Sequence, residues 1–175
     1  TDYFSEKTQD SAYVPDKIVG TFAPNWQEDY STADKIFRKL SDLAKLLIER
    51  EIKVAHDRFL AKNIVEEAYQ KSANKKIIIL DRGYPWKETL IEKPEPLFVI
   101  FPTTNDDGYM IQAVPLKKDS QEIRQKFPAS WLGKADTSLE EATGIKGTKF
   151  CHSAGFLAVA IDLETAKALA QKAIQ

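Results

Sequence analysis

In Phe150-Cys-His-Ser-Ala-Gly-Phe-Leu-Ala-Val-Ala-Ile-Asp-Leu163, every side chain after Gly155 is apolar as far as Ile161. An extended segment of that kind needs cover on both faces, which is how a central sheet strand reads, and it is expected to be the middle of the core. Asp162 then stands where a helix N-cap belongs, and Glu164 adds negative charge to the first turn. Leu163, Ala166, Leu169, Ala170, Ala173 and Ile174 recur at helical spacing, so the strand runs into an amphipathic helix. In front of the strand, His152 and Ser153 precede Gly155, a residue that lets a backbone come close to another group. This is the best polar corner of the chain.

Working outward, Ile77 to Leu80 reads as a buried strand, Asp81-Arg-Gly83 as its turn, and Pro85 to Ile91 as a short helix opened by proline. Leu97 to Phe101 and Tyr109 to Val114 are two further strands. They are joined by Thr103-Thr-Asn-Asp-Asp-Gly108, whose Asp-Gly ending is a strong hairpin signal. Ser138 to Thr143 reads as a short helix closed by Gly144. About five strands mixed with helices, without strict strand-helix alternation, predict an α+β fold: a mixed sheet with a long N-terminal helix and flanking helices.

That long helix comes from 31–76, which holds neither glycine nor proline. Ser31 and Asp34 match a capping box. Leu40, Leu47, Val54, Ala61 and Ala68 fall seven apart, so one stripe faces a partner. Glu51 and Arg58 interrupt the flanking row, and a bend or a solvent-spanning middle is expected near Glu49 to Lys53. Residues 1–30 read as a lead-in with a short helix from Pro15 to about Phe22. Pro24 ends it and leaves Asn25 and Trp26 in a loop, where Trp26 is either a stacking surface or, as is expected, an anchor packed on the helix that follows. The organisation is thus a lead-in at 1–30, a helical connector at 31–76 and an α+β domain at 77–175.

Composition bounds the function. A chain of 175 residues buries enough surface for one core without a metal or disulfide, and its single cysteine, Cys151, suits a reducing, intracellular setting. The apolar runs are too short for a membrane span, and a net charge of −1 gives no overall basic field, so nucleic acid would need a local patch. Thr1 is not a start methionine, as expected of a piece of something longer.

No glycine-rich phosphate loop, paired-cysteine zinc pattern or HExxH is present, and two histidines with one cysteine leave a metal site short of ligands. His56 has no ligand at i±3 or i±4. Cys151, His152 and Ser153 suggest a nucleophile, but strand neighbours point to opposite faces, so His152 is badly placed as a base for either. Binding fits better. His152, the Ser153 hydroxyl, amides near Gly155 and the cations Arg82 and Lys87 form a set that would hold an anion such as phosphate. The competing reading makes His152 a strand-end hydrogen-bond partner and Trp86 a packing residue.

Six motifs in order, Phe22-Ala-Pro-Asn-Trp26, Val65-Glu-Glu-Ala68, Pro85-Trp-Lys-Glu88, Phe127-Pro-x-x-Trp131, Thr143-Gly-Ile-Lys-Gly147 and His152-Ser-Ala-Gly-Phe156, span nearly the whole chain. Together they resemble the C-terminal half of the family named after the melanocyte proliferating gene, also described as metal-dependent protein hydrolases and related to the DHH phosphoesterases. The resemblance implies a two-part hydrolase. An N-terminal part binds divalent metal, usually manganese, and a C-terminal substrate-binding part closes over nucleic-acid or nucleotide phosphodiesters. The hallmark His-Asp-Gly, Cys-Asp-Glu and Asp-His-His motifs are absent here, so the resemblance implies no catalytic or metal-binding residue in this chain. By match, its substrate-binding residues are His152, Ser153 and Gly155, then Trp86 and Lys87, then Asn25 and Trp26. Its partners would be its own N-terminal metal-binding domain and the substrate. Where many relatives carry Gly-Gly-His, this chain has Ala158-Val159-Ala160. A different class of reading makes the heptad row a homodimerisation module.

Overall fold

The computed structural model describes residues 15–105, 107–118 and 120–174. The lead-in before Pro15 lies outside them. The chain divides into two compact units, Thr1–Ala55 and His56–Gln175.

The first unit holds α1 (Pro15–Thr21) and the opening of α2 (Ala33–Lys71). The start of α2 differs from the capping-box expectation. A 3-10 turn at Tyr30–Thr32 precedes it, and the Asp29 carboxylate accepts the Ser31 N–H at 2.9 Å. A single α-helix follows, 39 residues long. Glu49, Arg50, Glu51 and Lys53 are exposed and do not break it, because straight-chain charged residues are good helix formers wherever water can reach their heads.

In the second unit, the last turns of α2 lead into β1 (Ile77–Ile79), α3 (Lys87–Ile91), β2 (Phe98–Pro102) and β3 (Tyr109–Ala113). α4 (Asp136–Thr143), β4 (Thr148–Cys151), β5 (Leu157–Ala160) and α5 (Leu163–Ile174) complete it. The fold is α+β, with a five-stranded mixed sheet in the order β1-β2-β3-β5-β4. β1 and β2 are parallel and every other pair is antiparallel. β2 and β3 form the expected hairpin, closed by Gly108 at φ +152°. A Cβ there would stand 2.3 Å from the Ala160 carbonyl oxygen, so only glycine fits. The sequence reading is corrected for β5, which is second from the edge and not the middle of the sheet. β4 pairs outside it, and β4's own outer edge is tied down by Cys151 N–H to the Lys134 carbonyl at 2.9 Å and Gly133 N–H to the Cys151 carbonyl at 3.0 Å.

Alternation along the strands builds two apolar layers. On one face Phe98, Ile100, Ile111, Ala158 and Cys151 pack with Leu169 and Ala170 of α5, Leu139 of α4, and Phe127 and Trp131. The Phe98 and Phe127 rings stack at 4.8 Å. Asp162 caps α5 as expected, its carboxylate accepting the Thr165 N–H at 2.8 Å. On the other face Ile78, Leu80 and Val99 pack beneath Val65 and Tyr69 of α2 and Trp86 and Leu90 near α3. Arg124 fastens this layer by donating to the carbonyls of Ile91, Lys93 and Pro96. Among the described residues, no helix is long and apolar enough to cross a membrane.

Candidate binding site

Among the described residues, the second face is covered only over β1 and β2. Cross-strand pairing lines up Phe101, Met110, Val159 and Phe150 in one row across β2, β3, β5 and β4. A second row runs Val99, Gln112, Leu157 and His152, the last joined through its N–H to the Leu157 carbonyl at 2.9 Å. The opposite face of β5 is fully buried through Ala158 and Ala160. Leu157 and Val159 are half-buried, and Phe150 is 38% exposed. The strand read as covered on both sides is therefore covered on one.

Two parts of the candidate site lie on this open face. At one end is a groove of about 350 Å³ walled by Arg58, Gly83, Pro85, Lys87, Phe101 and Gln112. Arg58 and Lys87 are exposed, and neither enters an ion pair among the described residues. Trp86 lies beneath, 3% exposed in the core, where its carbonyl accepts the Leu90 N–H at 3.0 Å and so starts α3. Its ring supports the groove floor and has no free face. Arg82 is exposed but does not line the groove.

At the other end is the turn His152–Gly155, closed by the Gly155 N–H to the His152 carbonyl at 2.9 Å. Nδ1 of His152 accepts the Ala154 N–H at 3.0 Å, so the neutral ring carries its proton on Nε2 and presents a donor there. Phe150 and Phe156 fix the ring, at 6.2 and 4.5 Å between centroids. Ser153 is exposed at the turn's corner. Gly155 is buried at φ +74°, and a Cβ there would meet Leu132 Cδ2 at 3.0 Å. Since its N–H is engaged, its part is conformational. Gln112 and His152 share a row two strand spacings apart, about 10 Å.

Asn25 and Trp26 belong to the first unit. The Asn25 side chain accepts the Gln27 N–H at 2.9 Å in a local turn. Trp26 is 88% exposed, so the expected packing against the following helix is absent. The ring of a loop tryptophan is buried only where a second layer covers it, and among the described residues none does. Arg58, Phe101 and Gln112 were not singled out by sequence. Arg58 carried a signal, since it breaks the apolar row of α2.

The chemistry open to this face is recognition. Cys151 points to the opposite face from His152, and burial pushes its thiol up to about 11, so it stays protonated and unreactive at neutral pH. Among the described residues no three His, Cys, Asp or Glu side chains come together to hold a metal ion, so the residues present do not fit one. Two unpaired cations, a fixed imidazole N–H, a hydroxyl and an amide beside exposed aromatic carbon suit an anionic ligand with a flat apolar part.

Comparison with known proteins adds the family context. A family profile described as "Uncharacterised protein family (UPF0160)", short name MYG1_exonuc, matches residues 3–174. An MYG1 protein of Caenorhabditis elegans is 30% identical over 172 residues, covering 90% of this chain and 51% of that protein. An MYG1 protein of Schizosaccharomyces pombe is 32% identical over 167 residues, covering 90% and 52%. A human protein named MYG1 exonuclease is 28% identical over 151 residues, covering 79% and 40%. The chain thus spans about half the length of these relatives. No solved structure matches.

Proposed function

Because this chain belongs to the MYG1 exonuclease family, we propose that it is the substrate-gripping half of a nuclease-like hydrolase acting on nucleic-acid or nucleotide phosphodiesters. The observation that carries this reading is the open sheet face. It joins Arg58 and Lys87 at one end to His152 and Ser153 at the other, across a floor of Met110, Leu157, Val159 and Phe150. Phosphate oxygens take the cations and the imidazole N–H, while the apolar floor takes a base or sugar. The same face would be turned toward a metal-binding domain of the DHH type, the partner that would complete the enzyme. The family name of several relatives and their greater length support this assignment.

In this reading the chain's own residues bind and orient the phosphodiester and hold back solvent. They move no proton and form no bond to substrate. Divalent metal, manganese by the family likeness, would be supplied from the metal-binding domain. Ala158 and Ala160 form the buried side of β5 and Val159 faces the open side, so this stretch offers the substrate no polar side chain and His152 supplies that contact.

The test is hydrolysis of short single-stranded oligonucleotides, with manganese, by a protein joining this chain to the metal-binding half of an MYG1 relative. His152→Ala with Lys87→Ala should lower kcat/KM by about 100-fold, mainly through KM, since both residues bind rather than react. Unchanged turnover in that double variant would refute the site.

A further inference from the structure

Beside the His152 turn stands a cation that the site as described leaves unused. The segment after Arg124 alternates between the faces of the sheet. Nη2 of Arg124 donates to the Ile91 carbonyl of α3 on the second face, whereas Nε2 of Gln125 donates to the Ala173 carbonyl of α5 on the first. Phe127 is again buried in the first layer. Lys126 therefore stands on the second-face side, as Arg124 does. Its backbone is tied to the turn by the Phe127 N–H, which donates to the Gly155 carbonyl at 3.0 Å. A Cβ built on Gly155 would lie 3.5 Å from the Cβ of Lys126, so the lysine side chain leaves the backbone next to the turn. It is exposed and enters no ion pair among the described residues.

Charge and spacing say what this end of the face would hold. Neither cross-strand row contains an acidic side chain. Glu88 lines the groove, but Lys118 meets it at 3.2 Å. Lys126 has no such partner among the described residues, and a cation left over beside an imidazole N–H and a hydroxyl suits phosphate oxygens. Gln112 at the groove and His152 at the turn are about 10 Å apart across β5. In a stacked strand successive phosphates advance about 3.4 Å along the axis, so that distance corresponds to about three nucleotides. Between the two ends lie Leu157, Val159 and the 38% exposed ring of Phe150, an apolar floor on which a base stacks.

We propose that Lys126, with His152 and Ser153, forms a second phosphate seat, so that the face takes a single strand of about three nucleotides or more laid across β3, β5 and β4, and not a mononucleotide. A mononucleotide reaches one seat. A strand that reaches both makes the second contact at high effective concentration, with no further loss of translational freedom. Lys126 is a binding residue and touches no reacting bond. The inference rests on the reading of this face as a phosphodiester site, to which it adds a length requirement and a residue.

The test is competition, followed by fluorescence anisotropy, against a labelled thymidylate strand bound to the 175-residue chain. The competitors are 5′-phosphorylated thymidylates of increasing length. A trinucleotide should compete at least about tenfold better than a mononucleotide, and further length should add less than about threefold. Lys126→Ala should remove most of that advantage and lower the salt slope for the trinucleotide by about one, whereas Lys126→Arg should retain both. Equal competition by the mononucleotide and the trinucleotide would overturn the second seat, as would a loss from Lys126→Ala no larger than that from Lys146→Ala. The phosphodiester reading survives either result if Lys87→Ala with His152→Ala still weakens binding of the labelled strand. A chain that binds no strand overturns both.

Discussion

Gly155 and Asp162 bracket β5 and act on it by different means. At Gly155 any side chain takes on a left-handed backbone and meets Leu132, so Gly155→Ala should cost about 1–2 kcal/mol in urea unfolding. A loss below a few tenths would show that the His152 turn is not held as described. At Asp162 the hydrogen bonds from Thr165, its backbone N–H first, hold the carboxyl below its ordinary value. A depressed folded-state value means that this cap stabilises α5 above the unfolded-state pKa and fades as pH falls through the folded one. Asp162→Asn should therefore flatten the loss of Tm between about pH 5 and pH 2 relative to the native chain. Equal slopes would remove the cap from the account. Cys151 should react with a thiol reagent only on unfolding, since burial keeps it a thiol.

The elements that sequence made legible are those with a local cause. The Asp-Gly hairpin, the Asp162 cap and the spacing of α5 each depend on residues a few positions apart, and each is found where it is expected. The missing parts depend on distant neighbours. The apolar run of β5 states that both faces seek cover, but whether a layer lies above Leu157 and Val159 depends on where α2 and α3 come to rest. Likewise nothing near Trp26 tells whether a layer forms over its ring. Of the candidate residues, His152 and Lys87 were legible from type and position, whereas Gln112 and Phe101 required the sheet register. The two faces of the sheet should respond differently to truncation. Phe98→Ala, fully buried, should cost about 3–5 kcal/mol. Phe150→Ala, on the open face, should cost less than about 1.5 kcal/mol, because much of its ring already meets water. Similar costs would mean that the second face is closed.

For the whole molecule, among the described residues one unit carries a sheet with part of one face exposed and the other a helix with exposed apolar side chains. These surfaces differ in chemistry. The sheet face mixes cations, an imidazole and aromatic carbon, as a ligand site does, while the helix groove is almost without charge. The central claim is that the sheet face grips an anionic substrate, and fluorescence anisotropy of a short labelled single-stranded oligonucleotide titrated with the chain tests it directly. Binding should weaken as salt rises and fall at least about tenfold with Lys87→Ala and His152→Ala together, while Lys146→Ala, an exposed lysine outside the groove, leaves it unchanged. No binding at low salt, or an equal loss from Lys146→Ala and from the double variant, would contradict the account.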